Sequence, residues 1–275
     1  MKPTQYLLDE EAMMEFGNLR MALALGGLGL LLALEAVVPF RQTVQARLPR
    51  YLINFTIAGS NALVINLLFG VFLFQWSQRT TEQGLGLFHL LNLGLVANVI
   101  CSVVILDFLF YGVHWANHKV PFFWRLHRAH HSDLDLDVTT SSRFHLGEVT
   151  LSTLYKIGFI WVLGVSPLGL VAFESALLFA AQVQHSNLRI PEPFETMVRW
   201  IFVTPNMHRI HHSQEMGELN SNFSTIFSWW DRLMGTYHME VRQEGIMIGL
   251  KDYPATWNVT PWRVLLIPFG KSCKA

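Results

Sequence analysis

Charge is scarce in this chain: Asp, Glu, Lys and Arg make up 15% of its 275 residues, and twenty of each sign cancel. The balance offers nothing to nucleic acid or to any other polyanionic partner. Cysteine is nearly absent. Cys101 lies inside an apolar run and Cys273 near the C-terminus, a pair that supports neither a disulfide framework nor a thiolate metal site. There is no Cys-x-x-Cys-His for haem attachment and no Gly-x-Gly-x-x-Gly cofactor fingerprint, so any redox partner of those kinds must be a separate protein. His-Glu-x-x-His, which sets a base beside a protease zinc, is missing as well. The first apolar run follows an acidic leader (Asp9, Glu10, Glu11, Glu15) and precedes no small-residue cleavage site. It reads as a retained anchor rather than a signal peptide.

What the chain has instead is apolar length. Hydrophobic residues make up 51% of it, and the runs 21–40, 52–74 and 85–113 each reach the roughly 20 residues needed to cross a bilayer. A fourth stretch, 149–183, is broken at Ser166-Pro167-Leu168-Gly169, where proline and glycine disfavour an uninterrupted helix. It reads as a hairpin, either re-entrant or two short spans. The expected fold is all-α: a polytopic helical membrane protein with three long spans plus a hydrophobic hairpin, and a cytoplasmic-side helical cap. A single domain, 1–275, would comprise a leader (1–20), spans (21–113), cap segments (114–148 and 185–240) and the hairpin (149–183). Arg41, Arg47 and Arg50 between the first two runs mark that loop as cytoplasmic. The third run then comes back to the same face near His114, and the hairpin returns the chain to that face at His185. Trp115, Phe122, Phe123 and Trp124 suit an interfacial belt. The segment 193–203 reads as an amphipathic interfacial helix, and Thr204-Pro205 as N-cap and first position of a short helix after it.

Histidine is concentrated where the apolar runs end. His-x-x-His-His occurs twice, at His127/His130/His131 and His208/His211/His212, and His114 and His118 precede the first copy. Residues three and four apart share a helix face, so each pattern is expected to point its rings in one direction. With His145 and His185 between the clusters, the set holds eight to ten imidazoles, the commonest protein ligand for iron, zinc, copper and nickel. A structural zinc site needs four ligands and a zinc hydrolase three plus a base. Two six-coordinate ions sharing a histidine cage would use this number, with iron the redox-active choice. A zinc-dependent membrane hydrolase and a non-catalytic metal-binding or transport protein stand as alternatives.

These elements in order, His114/His118, His127/His130/His131, Arg143/His145/Glu148, His185/Asn187 and His208/His211/His212, span about a third of the chain. With Asn222-Phe223 and the tail 230–236, they resemble the fatty acid hydroxylase/sterol desaturase superfamily of membrane oxygenases. The resemblance implies a non-haem di-iron centre that uses dioxygen and two external electrons to hydroxylate or desaturate a lipid. Zinc is a possible substitute in purified protein. The resemblance also implies that His114, His118, His127, His130, His131, His145, His185, His208, His211 and His212 are ligands. Leu146 stands where the family usually has proline, and Trp115 where it often has arginine. The electron donor would be a separate protein, cytochrome b5-like, ferredoxin-like or a reductase. The setting would be a bacterial cytoplasmic membrane or the endoplasmic reticulum, with the active site on the cytoplasmic side.

Imidazole ligands need acceptors for their remaining N–H groups, and Asp107, Glu148, Asn187, Asn222 and Asp231 are the candidates. Asp133, Asp135 and Asp137 read as a solvated loop. Glu35 and Glu174, each near the end of an apolar run, are expected to reach toward headgroups. His89 falls toward the opposite face, and His238 suits either a late ligand position or a packed interface.

Overall fold

A computed structural model describes residues 10–70, 72–253 and 260–270. The first nine residues of the leader and Cys273 lie outside the described residues. Among the described residues there is no strand, only three isolated β-bridges, and five helices are long and apolar enough to cross a membrane.

The first is α1, Glu10–Val37, which takes up the second half of the expected leader as well as the first apolar run. The second run is not one helix. It forms α2, Arg47–Phe69, and then α3, Phe72–Glu82, with a break at Gly70, whose φ of 27° favours a residue without Cβ. The third run is also split, into a single turn α4, Leu87–Leu90, and the long α5, Leu95–Lys119. Asn92 in the left-handed region, followed by Gly94, separates them. Because α5 continues past the apolar run, His114 and His118 ride on a membrane helix rather than on the cap.

After α6, Pro121–His131, comes a five-residue 3-10 helix, Val138–Ser142. The hairpin is two full helices, α7, Leu146–Leu163, and α8, Pro167–His185, about 27 and 28 Å long at the usual rise. The arms exceed the length of the bare apolar stretch because each extends into polar sequence at the histidine end. Their turn is tight. Gly164, at φ 74°, is the C-cap of α7, and a Cβ on Gly86 would lie 2.2 Å from the Gly164 nitrogen, so only glycine permits this approach. Asn98 of α5 pins the turn by donating to Gly164 O and accepting from Ser166 N. Ser166 caps α8 through Gly169 N, with Pro167 in the first turn.

Leucines on the outer faces of α1 and α2 (Leu23, Leu25, Leu30, Leu63, Leu67, Leu68) are exposed, as lipid-facing spans require. Between α5, α7 and α8 the contacts are apolar: Leu106, Ile160, Leu170 and Phe173 form one buried cluster with Phe88 of α4. The shorter helices close the histidine end: α9, Glu192–Val198, α10, Pro205–His211, α11, Met216–Leu219, and α12, Trp229–Met234. The amphipathic segment is shorter than 193–203, because the chain turns after Val198. Thr204 does cap α10, accepting from Met207 N, with Pro205 at its start.

Candidate metal centre

One layer collects the C-terminal ends of α1, α5 and α8 and the N-terminal ends of α2 and α7. Glu35 at the end of α1 accepts from Val138 N and Asn187 N, so it ties α1 to the 3-10 helix and to the segment after α8 instead of reaching outward. Arg50, in the first turn of α2, is buried and donates to Asp133, Asp137 and Thr140. Asp135 accepts from Val44 N and Gln45 N, and Asp137 caps the 3-10 helix. The Asp133–Asp137 segment is therefore buried, not solvated, because two arginines are buried beside it. Burial pushes the Asp133 carboxyl up, but the guanidinium groups of Arg50 and Arg143 outweigh it and hold the pKa below its ordinary value.

Within this layer nine of the ten expected ligands converge, in two sets. His114, His118, His127, His131 and His211 form one pocket and His130, His185, His208 and His212 the other; within each, all donor nitrogens lie within 4.8 Å of one another. The two pockets abut where His131 and His212 stack at 4.3 Å. Each His-x-x-His-His motif thus divides its rings instead of pointing them one way. Positions i and i+4 are about 40° apart around a helix, whereas i+3 lies about 100° from i+4. His127 and His131 share the first pocket while His130 turns to the second; in the other motif His208 and His212 share the second while His211 turns to the first.

Tautomers follow from what each Nδ1 meets. His185 Nδ1 donates to Ala181 O at 2.6 Å and His130 Nδ1 to Arg143 O at 3.3 Å, so both Nε2 atoms carry lone pairs. Those two Nε2 atoms are 3.0 Å apart, and His208 Nε2 is 2.9 Å from that of His185. In the first pocket His114 Nδ1 donates to Phe223 O, His211 Nδ1 to Ser221 O and His127 Nδ1 to the Glu148 carboxylate at 2.6 Å. His127 Nε2 then faces His131 Nε2 at 3.1 Å, and His211 Nε2 is buried with no protein partner. The Nε2 lone pairs of His130 and His185 thus face one another at 3.0 Å, buried from water, an arrangement that a cation between them would satisfy. The residues present therefore fit two metal ions held by neutral imidazoles. Burial first, and the neighbouring rings second, push His130, His131, His208 and His212 well below the ordinary imidazole pKa, and His211 down to about 3. Neutral rings are the form that ligates.

His145 is brought to neither pocket. It is the N-cap of α7, and its Nδ1 accepts from Gly147 N. Of the five acceptor candidates only Glu148 touches a pocket imidazole. Asp107 instead accepts from Ile226 N, Phe227 N and Trp230 Nε1, and Asp231 from Phe223 N, Ser224 N and Thr236 Oγ1. Asn187 holds both backbone groups of Arg41. Asn222, at φ 53°, sits between Ser221 and Phe223, whose carbonyls accept from His211 and His114. Its side chain pairs with the backbone of Met207 and His238. The carbonyls of Ala181, Arg143, Ser221 and Phe223 do the work expected of side chains, and a backbone oxygen leaves no mark in a sequence. Phe144, which no sequence pattern singles out, stacks on His130 at 4.4 Å. His89 lies in α4 at the far end of the helices.

A cavity of about 330 Å³ opens on both pockets, touching His114, His127, His130, His185 and His208. Phe110, Val149, Leu177, Leu178 and Ala181 give it apolar lining.

Residues 99–236 match the family model described as fatty acid hydroxylase. An ornithine lipid hydroxylase of Rhizobium tropici is 33% identical over 158 residues, covering 55% of this chain and 45% of that protein. An alkylglycerol monooxygenase of Xenopus tropicalis is 28% identical, covering 52% of this chain and 31% of that protein. The human cholesterol 25-hydroxylase is 27% identical, covering 52% of each. The chain thus spans about half, or less, of the length of these relatives. No solved structure matches it.

Proposed function

Because the chain belongs to the fatty acid hydroxylase family, whose model covers half of it, we propose that it is a membrane monooxygenase that hydroxylates a lipid. One oxygen atom enters a C–H bond and the other leaves as water, with two electrons and two protons supplied from outside. The observation that carries this reading is the pair of abutting all-histidine pockets at the end of an apolar cavity. The chemistry supplied by two bound iron ions is the oxidation of an unreactive C–H bond with dioxygen.

The rest falls to this chain's own residues. Backbone carbonyls and Glu148 take the Nδ1–H groups and fix which nitrogen faces inward. Apolar walls on α5, α7 and α8 hold the lipid and keep bulk water from the pockets. Glu148 and Asn117, joined by a 3.2 Å hydrogen bond, bring polar groups to the cavity wall beside His127. Electrons would come from a separate donor, cytochrome b5-like or ferredoxin-like, meeting the histidine layer on the cytoplasmic face that Arg41 and Arg47 favour. Hydroxylation is preferred to desaturation because each of these three relatives is called a hydroxylase or a monooxygenase.

Lipid profiles of cells with the wild-type chain, without it, and with His130→Ala or His211→Ala test the reading. The expected result is an oxygenated lipid that only the wild type makes, and purified protein carrying about two iron ions and consuming oxygen when reduced. Stoichiometric zinc from the native host with no oxygen uptake would overturn it.

A further inference from the structure

The cavity that begins at the histidines ends on charge. Its lining includes Arg20 of α1, Lys156 of α7 and Glu174 of α8, three residues the metal chemistry leaves unused. Glu174 accepts from Lys156 Nζ at 2.6 Å through one oxygen and from Arg20 through the other. Lys156 and Glu174 side chains are only 14% and 13% exposed, whereas Arg20 is 46% exposed, which places Arg20 at the mouth. From Glu148 to Lys156 the helix rises about 12 Å, and from Glu174 to His185 about 16 Å. A charged cluster therefore stands 12–16 Å below the pockets by that rise, with apolar Leu177, Leu178 and Phe110 between.

Two cations share one carboxylate there. An ammonium has three donors and a guanidinium five, and Glu174 takes one from each. Holding charge at this depth is expensive, and intramembrane charges generally mark a ligand path. A latch between helices would need one cation for one anion; the cavity's other carboxylate, Glu148, lies at the histidine end and already accepts from His127 and Asn117, so the surplus positive charge at this end calls for a further anion.

We infer that Lys156 and Arg20 bind an oxyanion, a carboxylate or phosphate, on the lipid, whose apolar chain then runs along α8 to present its oxidised carbon to the histidines. This deepens the proposed function and rests on it. The substrate class is an anionic or zwitterionic amphiphile. Its position of oxidation is set by distance from the oxyanion, so a longer chain is oxidised at the same carbon counted from that group.

Equilibrium binding to the full-length, metal-loaded protein in neutral detergent tests this without turnover. The probes are an n-alkanoate, an n-alkyl phosphate, an n-alkanol and an n-alkyltrimethylammonium of one chain length. One or both anions should bind at least about tenfold tighter than the alkanol and the cation, a margin typical of charge-assisted hydrogen bonds away from water. Preference for the alkanoate identifies a carboxylate, and preference for the alkyl phosphate a phosphate. Lys156→Met should erase the preference. Glu174→Gln, which releases both cations, should raise anion affinity several-fold, a gain that neither a misfolded protein nor a purely structural ion pair would give. Equal binding of all four probes, or a preference that survives in Lys156→Met, would overturn the inference. A wild type that prefers the anion but oxidises no lipid would count against the monooxygenase reading alone.

Discussion

The five-histidine pocket draws on α5, α6 and α10, and its rings lean on one carboxylate and on two carbonyls of the 221–223 loop. The four-histidine pocket draws on α6, α8 and α10, and the bonded rings of His130 and His185 lean on carbonyls alone. Each holds three rings from the doubled motif: an i, i+4 pair from one copy and the middle histidine from the other. The difference lies in what the membrane adds. Helix α5 gives its pocket two rings, His114 and His118, whereas α8 gives one, His185. Two sites that exchange ligands symmetrically are thus made unequal by a single histidine and a single glutamate. The four-histidine pocket offers one donor fewer, and the five-histidine pocket has a carboxylate behind one of its rings.

Removing one ligand from each breaks this comparison most severely. His185→Ala leaves the leaner pocket three donors; it should lose one metal per chain and more than about a hundredfold of activity, beyond the usual effect of an outer partner. His118→Ala leaves four donors in the richer pocket and should retain both metals at reduced affinity. Metal content per chain, read by mass spectrometry, decides. Equal loss in the two variants would mean that donor number does not set the difference.

Glu148→Gln asks whether the carboxylate is the second source of inequality. The amide still accepts from His127 Nδ1, but the bond is no longer charge-assisted. Affinity of the richer pocket should fall about 10–100-fold while the other is unchanged, as chelator competition would read. A smaller effect belongs to Arg143→Lys. Arg143 donates to Ala129 O, Asn54 Oδ1 and Ser132 Oγ, and its own carbonyl receives His130. Lysine cannot reproduce this fork; stability should drop by about 1–3 kcal/mol, with the four-histidine pocket weakened first. If both pockets weaken together, the 129–143 segment serves the layer as a whole.

The spans were legible by apolar length and the histidine sets by three- and four-residue spacing, whereas the breaks at Gly70 and Asn92 were not. That spacing also contained the division of the motif, since the angle between His130 and His131 is fixed by helix geometry; a one-face reading overlooked it. Asp133, Asp135 and Asp137 misled because acidic alternation normally belongs to water, and nothing local announces that Arg50, about eighty residues earlier, is buried against them. The acceptor carbonyls of Ser221 and Phe223 were beyond reach for a different reason, since every residue has one. The one mark in the sequence is the residue type at 222, since asparagine tolerates the left-handed conformation that the chain adopts there.

His145 is the one expected ligand that lies outside both pockets, and it gives the mildest test. Its ring caps α7 by accepting from Gly147 N, so His145→Ala should leave both pockets with their metals and cost about 1 kcal/mol, the usual worth of an N-cap. A fall in metal content would return it to the ligand set. The cap is also sensitive to acid in a definite direction. Burial lowers the His145 pKa from its ordinary value of 6.5, so the folded ring stays neutral while the unfolded one takes a proton. Its stabilisation is present above pH 6.5 and is lost as pH falls through the lowered folded-state value. A protonated Nδ1 cannot accept from Gly147 N. Melting curves of wild type and His145→Ala should therefore stand about 1 kcal/mol apart at neutral pH and converge on acidification; a gap that widens in acid would mean that the ring is held by something other than the helix end.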